Sequence, residues 1–163
     1  MKDKVKDSGT EEKTRPGELV NDYTLITRKN YLCMRMKNSL VLGDFYRILE
    51  TERISDTQMS VKISLNPDHP VYKGHFPNIP IAPGVCLIQM IKEVLILTRK
   101  QNLQLEEGDN IRFLAIINPS LTPQVCIDYE FKTSDMTTER VTALIRWEGV
   151  SYLKFKGRFK TLD

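Results

Sequence analysis

His75 stands in "GHFPNIPIAPGV", residues 74–85, and is one of only two histidines among 163 residues. A histidine is the side chain best suited to take a proton near neutral pH. Pro77, Pro80 and Pro83 each fix φ and restrict the residue before them, so the spacing predicts a stiff, extended connection over 76–82. Pro83 suits the start of a helix, where no backbone N–H is needed, and Gly84 lets another group approach the chain closely. The unpaired N–H groups of that first turn make an electropositive corner for a carbonyl oxygen gaining negative charge. A base tethered to an oxyanion corner is what proton abstraction beside a thioester carbonyl requires. The same residues equally suit a histidine that caps a turn next to a proline-rich loop.

Farther along the expected helix stand Gln89 and Glu93, one turn apart on the same face. They serve either the chemistry or, with Lys92, a polar strip where the helix meets solvent or a partner subunit. His69, in "NPDHPVYKG", reads as a turn residue. Cys86 falls on the apolar helix and reads as packing. With Cys33 and Cys126 it makes an odd, widely spaced set that forms neither a disulfide framework nor a zinc site, so no metal is expected. No phosphate loop, dinucleotide fingerprint or serine nucleophile elbow is present, and no cofactor is implied.

The elements that must position these residues are mainly strands. "QMSVKISL" and "QVCIDYEFK" alternate strictly, and "VTALIRW" and "YLKFKGRFK" flank "EGVS" as an antiparallel hairpin. "GDFYRILETERI" reads as a first strand, and "IRFLAII", apolar on both faces, as a central one. From Val85 to about Arg99 apolar residues surround a helix on nearly every side, which marks it as buried. One buried helix among antiparallel strands gives an α+β architecture with the sheet wrapped around the helix. Residues 1–36 mix both charge signs with few large apolar groups and read as a flexible tail, leaving 37–163 as the globular domain.

A hydrophobic content of 40% supports a real core, whereas a net charge of +3 is too small to argue for nucleic acid. No apolar run is long enough to insert in a membrane and no signal peptide is evident, so the expected compartment is cytoplasmic. Lys154, Lys156, Arg158 and Lys160 share one face of the last strand. Such a row is a solvated face that also guards a sheet edge, or an attractor for an acidic partner.

The run Gly74, His75, Phe76, Pro77, then Pro80, Ile81, Pro83, Gly84 and Val85, resembles the hallmark of the hotdog-fold 3-hydroxyacyl-[acyl-carrier-protein] dehydratases. The likeness extends over roughly 40–160. It implies a hotdog fold, an antiparallel sheet around one long central helix, assembled as a homodimer or an oligomer of dimers. The implied activity is reversible loss of water from a 3-hydroxyacyl thioester, giving the trans-2-enoyl thioester, in fatty-acid or polyene biosynthesis. The implied partner is an acidic acyl carrier protein bearing the thioester. By position, His75 would take the α-proton, the Gly84 N–H would bind the thioester oxygen, and the Val85 N–H would lie near the β-hydroxyl. Phe76 and Pro83 would line the substrate site. The family's carboxylate falls at Gln89 and its glutamine at Glu93, so the two polar groups are exchanged across one helical turn. Glu93 is therefore a second candidate for catalysis. The alternatives are a non-catalytic acyl-thioester-binding hotdog subunit and a hotdog acyl thioesterase.

Overall fold

The computed structural model describes residues 42–74 and 78–162. The chain divides into two units, Met1–Met34 and Arg35–Asp163, and every described residue belongs to the second. The expected tail lies outside the described residues.

Strands β1 (Tyr46–Arg53) and β2 (Gln58–Leu65) form a first hairpin. A 3-10 turn (Pro70–Lys73) and the proline-rich loop lead into helix α1 (Gly84–Arg99). Strands β3 (Leu103–Phe113), β4 (Gln124–Thr133), β5 (Thr138–Trp147) and β6 (Val150–Thr161) follow. All pairings are antiparallel, in the order β1-β2-β4-β5-β6-β3.

The two-residue period places Val61, Ile127, Ile145 and Leu153 opposite one another across four strands, and each is fully buried. Tyr129, Ala143 and Phe155 make a second such row. Leu87, Met90, Ile91, Val94, Leu95 and Ile96 of α1 join them in one core, the expected α+β arrangement. Burial on this scale supplies the main driving force for folding. The β5–β6 turn needs a positive φ at both central residues, and Glu148 (45°) and Gly149 (81°) provide it.

Three expectations are corrected. The strand read from "IRFLAII" begins eight residues earlier, at Leu103, and ends at Phe113. It is an edge strand rather than a central one, because its outer neighbours Phe113, Leu114 and Ile116 are exposed and β6 is its sole partner in the sheet. Conversely, the last strand lies between β5 and β3, so its lysines do not guard an edge. Helix α1 is also less uniformly buried than its composition suggests: Val85 is 74% exposed, and Ile88 and Leu97 are half-buried.

The outward side chains of β6 carry the basic row, with Lys154, Lys156 and Lys160 exposed. Arg158 pairs with Glu107, but Arg112 stands directly opposite Lys154, and Arg140 opposite Arg158. Like charges placed directly across strands are destabilising, so this face retains unneutralised positive charge.

Candidate active site

The 3-10 turn before the site is capped by His69, whose Nδ1 accepts from the Val71 N–H at 3.2 Å. Its ring packs edge-on against Phe45 and Tyr72. His69 is thus a turn residue. Gly74 closes the turn, and Asn78, in left-handed backbone geometry (φ 81°), begins the stretch leading to the helix. His75, Phe76 and Pro77 lie outside the described residues.

Beyond Asn78 the loop is tied down. The Ala82 N–H donates to the Ile117 carbonyl at 2.9 Å, anchoring the approach to α1 on the segment that follows β3. Pro83 is buried and extended (φ −62°, ψ 138°), the half-in residue at the helix start, and offers no side-chain cap. Its carbonyl accepts from the N–H groups of Cys86 (2.9 Å) and Leu87 (3.1 Å). The N–H groups of Gly84 and Val85 precede that ladder, and neither has an acceptor among the described residues. Two adjacent donors at the positive end of a 16-residue helix suit an oxygen that gains charge.

Gly84 also has a steric reason to lack a side chain. A Cβ there would meet the Phe113 ring at 2.6 Å from Cζ and 2.7 Å from Cε1. The Phe113 ring at the end of β3 therefore covers the helix start, and Phe113 and Val85 are both exposed apolar residues there.

Val85, Gln89 and Glu93 follow one another at four-residue steps on a single helix face. That face runs from open to closed: Val85 is exposed, Gln89 half-buried, and Glu93 only 1% exposed. Gln89 Nε2 donates to Glu93 Oε1 at 2.9 Å. The same oxygen accepts the Leu42 N–H at 3.1 Å, and Oε2 accepts the Tyr46 hydroxyl at 3.3 Å. Glu93 does not share a solvent strip with Lys92, because the chain before β1 closes over it. Burial, and then the Glu93 charge, hold the Tyr46 phenol far above its ordinary range. The same two causes push the Cys86 thiol up, which leaves it protonated and unsuited to act as a nucleophile.

At the far end of α1, Arg99 binds buried Glu139 and Gln101 and stacks 3.6 Å from the centroid of Phe131. Burial raises the Glu139 carboxyl despite the opposing pull of Arg99. This cluster holds the helix end against β4 and β5, away from the proline-rich loop. Among the described residues no group of histidine, cysteine and carboxylate side chains could hold a metal ion. None of the described helices is long and apolar enough to cross a membrane.

Residues 51–156, most of the paired strands and the whole helix, match the model of the ApeI-like family, described as ApeI dehydratase. The chain belongs to this dehydratase family. A 3-hydroxyacyl-[acyl-carrier-protein] dehydratase, FabZ, of Variovorax paradoxus (strain S110) is 26% identical over 118 residues, 69% of this chain and 74% of that protein. The dehydratase heterocomplex ApeI:P of Xenorhabdus doucetiae superposes with a TM-score of 0.59 at 14% identity, covering 70% of this chain and 96% of its own. A hypothetical thioesterase with coenzyme A from Streptococcus pneumoniae TIGR4 superposes at 0.56 and 15% identity, covering 79% and 96%. At such identities the structural matches show the hotdog fold alone. The family match and the FabZ relative favour a hydroxyacyl dehydratase over a thioesterase.

Proposed function

We propose that the chain catalyses reversible loss of water from a 3-hydroxyacyl thioester carried on an acyl carrier protein. The observation that carries this reading is the pair of N–H groups, Gly84 and Val85, that have no acceptor among the described residues, at the end of the proline-rich loop that bears His75. The Gly84 N–H receives the thioester oxygen as negative charge develops on it, and the Val85 N–H lies at the hydroxyl-bearing carbon. Phe76 and Pro83 line the acyl path. His75 removes a proton from the α-carbon, the Cβ–O bond breaks with its electron pair going to oxygen, and the imidazolium returns the proton to that oxygen as water departs. The balance closes with one base, so Gln89 is not required to supply a proton. Its role is to hydrogen-bond the leaving hydroxyl.

Exposed Phe113, Leu114, Ile116 and Ile79 support burial of this end of the molecule against a second copy, completing a homodimer. The basic row on β6 supports an acidic carrier as the partner. Gln89 favours one other reading, a non-catalytic subunit that binds acyl thioesters and has lost turnover with the family's carboxylate.

Incubation with carrier-bound 3-hydroxyacyl and 2-enoyl thioesters, with mass detection of both, tests the proposal. Interconversion that His75→Ala abolishes, without change in the melting transition, is the expected result. Binding without interconversion would establish the non-catalytic reading, and release of free acid a thioesterase.

A further inference from the structure

Glu93 is a buried carboxylate that the one-base mechanism leaves without a task, at a position where the resemblance implies a glutamine. Its surroundings decide the orientation of the neighbouring amide. A backbone N–H can only donate, so Leu42 makes Glu93 Oε1 an acceptor. The Gln89 atom 2.9 Å from that same oxygen must then be the nitrogen, because the amide oxygen would meet a second acceptor there. The Tyr46 hydroxyl occupies the other carboxylate oxygen. The donors are themselves fixed by the sheet. Tyr46 pairs with Leu65 in β1–β2, and the Phe45 N–H bonds the Leu42 carbonyl at 3.0 Å. The Asn66 N–H bonds the Phe45 carbonyl at 2.9 Å.

We infer that Glu93 is a positioning residue that locks the Gln89 amide with its nitrogen turned inward, leaving the amide oxygen as the group that accepts from the substrate's 3-hydroxyl. This rests on the dehydratase reading above. The Gln89 oxygen has no donor among the described residues. Donation from its nitrogen to a carboxylate polarises the amide and strengthens that oxygen as an acceptor. Accepting the hydroxyl hydrogen holds the leaving group while keeping a lone pair on its oxygen open to the proton delivered by His75. The exchange of Gln and Glu across one turn thus replaces a proton donor with an oriented acceptor.

A double-mutant cycle reads the coupling directly. Glu93→Met nearly preserves the side-chain length but offers no oxygen to the Gln89 nitrogen, so the lock is lost. The expected result is a fall in kcat of about tenfold or more with KM little changed. The same substitution in a Gln89→Met background should change kcat less than about twofold. Equal losses in both backgrounds, or no loss in either, overturn the inference. A second readout does not depend on turnover: in the wild type, NMR should show the Gln89 amide hydrogen that faces Glu93 protected from exchange relative to its geminal partner, with that protection lost in Glu93→Met. Two amide hydrogens that both exchange freely in the wild type refute the lock even if the dehydratase reading stands. An intact lock in a protein without turnover refutes that reading while leaving the lock in place.

Discussion

Gln89→Glu would restore the carboxyl group that the family implies at this position, next to a carboxylate that is already buried. The new carboxyl would face Glu93 Oε1 at the 2.9 Å now spanned by the amide hydrogen bond. Two full charges about 4 Å apart at an effective dielectric near 20 repel by about 4 kcal/mol. Burial and that repulsion hold the introduced carboxyl protonated to higher pH than a free glutamate. A general acid then stands where the amide did, and dehydration or hydration of a short 3-hydroxyacyl thioester should rise about tenfold or more. The gain should vanish as pH climbs and the introduced carboxyl ionises. Stability should change with a matching sign: the folded protein holds that proton more tightly than the unfolded chain, so the variant is least penalised at acid pH and loses stability as pH rises. Initial rates and melting curves of both proteins from mildly acid to mildly alkaline pH provide the test. A rate unchanged at every pH, or a gain that grows toward alkaline pH, would refute the reasoning.

Two further outcomes are expected. Gly84→Ala should lower the melting temperature only slightly, because alanine's better helix propensity offsets part of the cost of moving the Phe113 ring aside. Turnover should nonetheless drop by about tenfold or more as the displaced ring and added methyl crowd the oxyanion corner, and retained activity would mean that no substrate oxygen sits there. The double substitution Lys154→Glu and Lys156→Glu should raise KM for carrier-bound substrate by about tenfold at low salt, with little effect at high salt. The same thioester on a short pantetheine mimic should be turned over normally, and an equal loss on both substrates would place the carrier elsewhere.

The first strand was legible in "GDFYRILETERI", and four more by their alternation because one face of the sheet meets solvent. In β2, β4, β5 and β6 that asymmetry imposes a two-residue period, and the glycine of "EGVS" marks the turn between the last two. β3 escaped for a physical reason. Its first eight residues, "LQLEEGDN", carry two register shifts and a glycine, and of the eight only Leu103 is buried. Its apolar end, Phe113 onward, owes its composition to neither face of this sheet, since Phe113, Leu114 and Ile116 remain exposed. A run apolar on both faces satisfies a central strand or a surface that a second chain covers, and periodicity alone does not separate them.

The site was readable to a different depth at each residue. Pro83 and Gly84 announce the helix start and its free donors, because proline chemistry acts locally. Spacing also puts Gln89 and Glu93 on one face. It gives no hint that Glu93 is interior, since the groups that make burial tolerable, Leu42 and Tyr46, lie 51 and 47 positions earlier in the chain. A buried carboxylate without such donors would be costly, and with them it becomes a fixed acceptor. Those donors account for a carboxylate at an interior position, and on the proposed reading they fix the acceptor that orients Gln89.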